Sequence, residues 1–155
     1  MIQRIQTLYL ALAAALSGFL LKGPIVRLAG NMNQAYELNY KGIYAVENGG
    51  LSSVIESSLP LTIILIAVPV LFLLAILLFR RRKLQIRVTV FASLLLAGAF
   101  LLMLFYIFYT GRKLEAELIF NIKLVFPVAG TIFGYLAFRN ILKDELLIKS
   151  YDRIR

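Results

Sequence analysis

Apolar residues form four long runs along the chain, and polar residues gather between the runs. The runs cover residues 5–21, 59–79, 88–109 and 118–138. A membrane's hydrocarbon layer is about 30 Å thick, so a helix rising 1.5 Å per residue needs roughly 20 residues to cross it. All four runs meet this requirement, the first only narrowly. Because a segment in lipid must satisfy its own backbone hydrogen bonds, each run is predicted to be a helix.

The first run also has features of a secretory signal peptide, since Arg4 precedes an apolar stretch that is rich in alanine. However, no Ala-x-Ala pattern leads into a polar mature start, and the run continues without interruption as far as Lys22. Such continuity is typical of a retained membrane anchor rather than of a cleaved leader. We therefore expect the first run to remain as a membrane helix.

The segment between the first two runs, residues 22–58, is too long for a simple connector. Within it, Tyr36, Leu38 and Tyr40 alternate with polar residues, and the pair Asn48-Gly49 is typical of a type I′ turn. The pattern predicts a small β-hairpin at the membrane-water boundary, with an irregular loop as the alternative. The predicted fold class is an all-α integral membrane protein, a bundle of four transmembrane helices with this small loop between the first two.

Composition supports a single membrane domain over residues 1–155. The chain is 61% hydrophobic with a mean hydropathy of +0.84, above the range of ordinary soluble domains. It contains neither cysteine nor histidine, which excludes disulfides, thiolate nucleophiles, Cys/His zinc sites and histidine-based catalysis. We expect no metal and no cofactor.

The net charge of +9 would suggest a nucleic-acid partner in a soluble protein, but here the bases lie beside apolar runs. Five bases and no acid occupy the segment 80–87 between the second and third runs, and five more lie in the tail after residue 138. The positive-inside rule then places this segment, the tail 139–155 and both termini in the cytoplasm. The expected location is a bacterial inner membrane crossed several times, with the lipid bilayer as a partner and no nucleic acid.

Two polar residues, Asn121 and Lys123, fall inside the fourth predicted span. Ionisable groups within a membrane span often mark function. The amine of Lys123 lies close enough to the outer boundary to reach the headgroups, and the alternative is a buried ion pair with Glu115, Glu117 or Glu56. The prolines at residues 69 and 127 fall near the middle of their predicted spans, where they can kink a helix.

Gly130 and Gly134 form a G-x-x-x-G pattern in the fourth run, which allows two membrane helices to approach closely. The pattern is compatible with packing inside one chain and with a homo-oligomer, and the sequence leaves both alternatives open.

The C-terminal tail mixes acids with bases. Orientation in the membrane depends on Lys and Arg, and acids contribute little to it. Interleaved charges suit a complementary protein surface, where the charge pattern sets specificity. We therefore predict that the tail binds a cytoplasmic or membrane protein partner through Arg139, Lys143, Asp144, Glu145, Asp152 and Arg153.

Three stretches together carry a resemblance to a known family: "MIQRIQTLYL" at the start, "RRRKLQIRV" between the second and third runs, and "FRNILKDELLIKSYDRIR" at the end. The chain resembles the short four-helix membrane proteins of Bacteroidota grouped as domain of unknown function family 4293. The resemblance implies a location in the bacterial inner membrane and implies no activity.

The sequence favours a non-enzymatic membrane protein that acts as an accessory or scaffold subunit of a complex. A small oligomeric carrier or lipid-handling protein is the alternative. An enzyme is not expected, because the acids are scattered and no nucleophile lies beside a base.

Overall fold

The structure, a computed structural model, describes residues 3–30, 35–47 and 50–152. These residues contain four α-helices: α1 Gln3–Phe19, α2 Leu59–Leu77, α3 Arg82–Lys113 and α4 Phe126–Asp152. A short 3₁₀ helix, Leu78–Arg80, follows α2, and a second, Ile122–Val125, precedes α4. The helices pack as a ring, in which α1 and α3 each contact both α2 and α4.

The bundle has two distinct ends. The end that contains the start of α1, the tight turn between α2 and α3, and the last turns of α4 is called the loop end. The opposite end carries a β-sheet and is called the sheet end. A stripe of side chains along each helix faces the centre of the ring: in α2 these are Leu61, Leu65, Val68, Phe72 and Ala75, all fully buried. Spacing of three and four residues places such side chains on one helix face.

Most of the large side chains on the outer faces of the helices are also apolar. Ile63, Leu94 and Leu101 are each about two-thirds exposed. Within the described ranges, three helical stretches are long and apolar enough to cross a membrane: Leu59–Arg80, Arg82–Lys113 and Ile122–Leu147. The apolar part of α1, Ile5–Phe19, is shorter and would reach only about 22 Å at 1.5 Å per residue. These three stretches are compatible with a membrane protein.

In the part of the chain that the structure describes, five short strands form one antiparallel sheet in the order β4-β3-β2-β1-β5. Their bounds are β1 Val26–Ala29, β2 Ala35–Asn39, β3 Gly42–Glu47, β4 Gly50–Ser57 and β5 Glu117–Ile119. β2, β3 and β4 are sequence neighbours, whereas β5 comes from the connection between α3 and α4 and pairs Ile119 with Arg27. The turn into β3 requires a glycine, because a Cβ on Gly42, at φ +151°, would collide with the main-chain oxygen of Glu56.

One face of the sheet covers the end of the bundle. Val26, Leu28, Leu38 and Ile43 are buried and belong to the same apolar core as the helices. Side chains alternate between the two faces of a strand, so the neighbours of these residues point away from the bundle. On that outward face, Arg27 Nε donates to Glu37 Oε1 at 2.9 Å.

The predicted fold class is wrong, because the chain is not all-α. It combines four helices with a five-stranded sheet, so the fold is mixed. The predicted hairpin covers only part of this sheet. β3 and β4 pair antiparallel, with Glu47 opposite Gly50 at the end where the Asn48-Gly49 turn was predicted. The turn itself lies outside the described residues.

β1 and β5, at the other edge of the sheet, were missed because each is too short to show the alternation of apolar and polar residues that is typical of a strand. β1 has four residues and β5 three. The fourth apolar run was predicted as one helix from residue 118, but it begins with β5 and becomes α-helical only at Phe126. Pro127 therefore lies in the first turn of α4, where proline is favoured, and not at a kink in mid-span. Pro69, in contrast, does lie inside α2.

Candidate functional site

The buried face of α4 continues into the predicted partner-binding tail. Gly134, Ala137, Ile141 and Asp144 are buried in succession, at the three- and four-residue spacing of one helix face. The first three are small or apolar, whereas the fourth is an acid. Because a buried charge is costly unless it is hydrogen-bonded, Asp144 needs a partner inside the protein.

Gln6 of α1 supplies that partner. Its Nε2 donates a hydrogen bond to Asp144 Oδ2, and both side chains are less than a tenth exposed. The bond joins the first helix to the last across 138 positions of sequence. Two further polar side chains, Gln85 and Thr89 of α3, are buried at the same end of the bundle. Asp144 therefore takes part in the packing of the loop end and does not lie on an exposed tail surface.

The other predicted tail residues divide into three groups. Arg139 and Lys143 are exposed, and Glu145 is half-buried with an interaction inside the protein. Asp152 ends α4, but its side chain lies outside the described part, as does all of Arg153. The described charges thus point in different directions: Lys143 faces outward, and its neighbour Asp144 faces α1.

α4 projects beyond the turn between α2 and α3 at the loop end. Gly134 faces Ser93 of α3, which runs antiparallel to α4. Both helices rise 1.5 Å per residue, so Glu145, eleven residues further along α4, lies about level with Arg82, where α3 begins. The remaining residues of α4, up to Asp152, extend roughly 10 Å past the turn between α2 and α3. Leu146, at the base of this projection, is 58% exposed.

Both glycines of the G-x-x-x-G pattern face helices of their own chain. A Cβ on Gly130 would lie 2.7 Å from Leu96 Cδ2, and one on Gly134 would collide with Ser93 Oγ and lie 3.3 Å from the ring of Phe72. Real Cβ atoms do not approach so closely, so glycine at both positions lets α4 pack against α3 and α2. This arrangement corresponds to the intramolecular alternative for the pattern.

Lys123 and Asn121 lie at the sheet end, before α4 begins. Asn121 caps the 3₁₀ helix: its Oδ1 accepts from the main-chain N–H of Lys123 at 3.3 Å. The amine of Lys123 donates to the main-chain oxygen of Lys22, just after α1. An amine at this position neutralises the partial negative charge at the C-terminus of α1. Both residues therefore precede the long α4 helix and do not lie in its middle.

Within the described ranges, no group of three or more His, Cys, Asp or Glu side chains could hold a metal ion. What the loop end offers is a helical projection whose base is fixed to α1 by a buried hydrogen bond, with the exposed bases Arg139 and Lys143 just before it.

Sequence reasoning missed Gln6 and misplaced Asp144. Asp144 falls on the stripe of Ala137 and Ile141, a spacing that is visible in the sequence and would have predicted a buried acid. The sequence around Gln6 does not indicate its hydrogen bond, because its partner Asp144 is 138 positions away along the chain.

A family model matches residues 2–154, nearly the whole chain. The chain belongs to the family described as Domain of unknown function (DUF4293). This confirms the resemblance carried by the two ends and the basic turn. No curated protein matches this DUF4293 chain.

Proposed function

We propose that this DUF4293 protein is a non-enzymatic accessory subunit of a membrane complex, which it joins through the projecting end of α4. The projection carries the proposal. A helix that only anchors the protein has no need to continue roughly 10 Å past the turn between its neighbours. The hydrogen bond from Gln6 to Asp144 holds the base of this projection against α1.

The exposed surface of the two turns of α4 that lead into the projection suits a protein better than a lipid. Exposed Arg139 and Lys143 alternate with the exposed leucines Leu142 and Leu146. Apolar contact area surrounded by charge is typical of a protein interface, where the charges set the choice of partner. Because Asp144 is buried, the partner would meet mainly bases on the described part of this surface.

We place the loop end in the cytoplasm of a bacterial cell, with the protein in the inner membrane. The segment 80–87 holds five bases and no acid, and the start of α1 and the end of α4 lie at the same end of the bundle. The positive-inside rule supports this orientation. Reporter fusions at residue 155 and in the segment 31–34 are expected to be active in the cytoplasm and outside it, respectively. A reporter at residue 155 that is active outside the cytoplasm would refute the orientation.

Site-specific photocross-linking in the native host tests the partner. A photoreactive residue at Leu146 should give a discrete cross-linked protein band, whereas one at Ile132, which is 54% exposed near the middle of the apolar stretch Ile122–Leu147, should label lipid. The double substitution Arg139→Gln and Lys143→Gln should abolish the band. The matched control, Lys22→Gln with Lys41→Gln, removes two exposed bases at the sheet end and should leave the band intact.

Three results would contradict the proposal. Lipid labelling alone at Leu146 would indicate that the projection is an anchor. A cross-link of the protein to itself would support a homo-oligomer instead of a complex with another protein. Loss of the cross-linked band in the control variant as well would show that cross-linking depends on the total charge of the protein and not on Arg139 and Lys143.

A further inference from the structure

A groove lies at the sheet end, between the last turns of α3 and the edge of the sheet formed by β1 and β5. Its volume is about 430 Å³, and its walls come from α3, β1, β5 and the 3₁₀ helix before α4. Most of its lining is apolar, including the buried side chains Leu28 and Ile107 as its floor and Leu104 and Leu124 on its sides. Arg112 is the charged residue of the lining. Apolar walls with one or two charged groups are typical of a site for an amphipathic molecule.

A second cleft, of about 520 Å³, adjoins this groove and shares Phe108 and Arg112 with it. It adds Phe105, Tyr109 and Lys113. The amine of Lys113 lies 5.5 Å from the centre of the Tyr109 ring, and the rings of Phe105 and Tyr109 stack at 6.1 Å. Arg112 and Lys113 thus lie beside an aromatic surface, and Arg112 also lines the adjoining apolar groove.

The position of this paired site along α3 corresponds to a membrane boundary. α3 has 32 residues, about 48 Å at 1.5 Å each, and so exceeds the roughly 30 Å of hydrocarbon. Since the opposite end of α3 lies in the basic turn, its last turns reach the headgroup layer at the sheet end. Aromatic rings and long basic side chains are both favoured at this depth.

Of the two acids nearby, Glu117 faces away from the groove. Glu117 and Leu118 are successive residues of β5, so their side chains lie on opposite faces of the strand, and Leu118 is the one that lines the groove. Glu115, in the turn before β5, has an interaction within the protein.

We infer that this paired site binds one anionic phospholipid, with its phosphate between Arg112 and Lys113 and an acyl chain in the apolar groove. The positive charge of Arg112 and Lys113 favours an anionic headgroup over a zwitterionic one. The apolar lining of the groove favours a lipid over a free phosphate. This inference is independent of any partner at the loop end.

Photocapture in nanodiscs that contain equal amounts of phosphatidylglycerol and phosphatidylcholine tests the site. A photoreactive leucine analogue at Leu104 should capture phosphatidylglycerol in excess over phosphatidylcholine, by roughly thirtyfold, the combined factor that two bases near the headgroups contribute. The same analogue at Leu94, which is 67% exposed in the middle of α3, should capture the two lipids equally.

Two pairs of substitutions separate the site from general charge. Arg112→Gln with Lys113→Gln should remove the excess at Leu104. Arg80→Gln with Arg81→Gln, two exposed bases at the loop end, should preserve it. Circular dichroism of each variant shows that its helices are intact.

Other outcomes would overturn the inference. Equal capture of both lipids at Leu104 in the parent protein would show that the groove is ordinary lipid-facing surface. An excess that survives the Arg112 and Lys113 substitutions would show that these bases do not bind the headgroup. Loss of the excess when inorganic phosphate is added would indicate a site for free anions.

Discussion

Replacing Gln6 with leucine tests how far the buried contact between α1 and α4 stabilises the bundle. The substitution removes the amide that donates to Asp144, while the acid stays buried. A hydrogen bond to a charged group contributes about 1.5–3 kcal/mol, and a buried charge left without its donor costs at least as much. We therefore expect Gln6→Leu to lower the free energy of unfolding by about 2–3 kcal/mol.

The companion substitutions give a double-mutant cycle. Asp144→Leu leaves the Gln6 amide without its acceptor and should cost about 1–2 kcal/mol, because the stranded group is neutral. Replacing both residues with leucine removes both polar groups, which is often nearly neutral. The double variant should therefore be more stable than Gln6→Leu alone, with a coupling energy of about 3 kcal/mol or more between the two positions.

Thermal unfolding in mild detergent, followed by circular dichroism, measures these differences. For a chain of this length, 1 kcal/mol corresponds to roughly 2–4 °C, so Gln6→Leu should lower the melting temperature by about 5–10 °C. The reasoning is refuted if the double variant loses as much stability as the two single variants combined. That result would mean that the two side chains do not interact.

Three further substitutions are expected to change the melting temperature in different ways. Gly134→Leu should lower it by several degrees, since an added side chain collides with Ser93 and overpacking costs about 1–3 kcal/mol, whereas Gly98→Ala, whose Cβ meets nothing within 4 Å, should leave it unchanged or raise it slightly. Lys123→Met should lower it by at most about 4 °C, because an amine at the C-terminus of a helix contributes about 0.3–1 kcal/mol; a larger drop that is rescued by removing an acid would instead reveal a buried ion pair. Thr89→Val should raise it or leave it unchanged, because the buried Oγ1 of Thr89 has no hydrogen-bond partner in the described structure, and a marked drop would indicate an ordered water at that atom.

The long helices α2 and α3 could be predicted because their apolar runs are unbroken and each is long enough to cross a bilayer by itself. The start of α4 could not be placed by hydrophobicity alone, since Leu118, Ile119 and Phe120 are as apolar as the helix that follows. The position of Pro127 was the available signal, because proline is favoured in a first helical turn and unfavourable in the middle of a helix.

The sheet and the buried hydrogen bond were harder to predict for the same reason: the residues that each brings together are far apart in the sequence. β1 pairs with β5 about 90 residues away, and neither strand is long enough to show alternation by itself. Gln6 and Asp144 are separated still further. Short-range patterns can indicate that Asp144 is buried, but they contain no information about which residue reaches it.

The pairing of early and late segments has a consequence for the biogenesis of the protein. α1 packs against α4, and β1 pairs with β5. α1 and β1 are therefore synthesised early but can form these contacts only after β5 and α4 have been synthesised. At 5–20 residues per second, a ribosome needs roughly 5–20 s to translate the stretch between β1 and β5. During that interval the nascent chain exposes an open strand edge and a helix face lined by alanine. A chain that stops after α3 keeps both features, and we expect cellular proteases to degrade it for that reason, while the finished chain hides them.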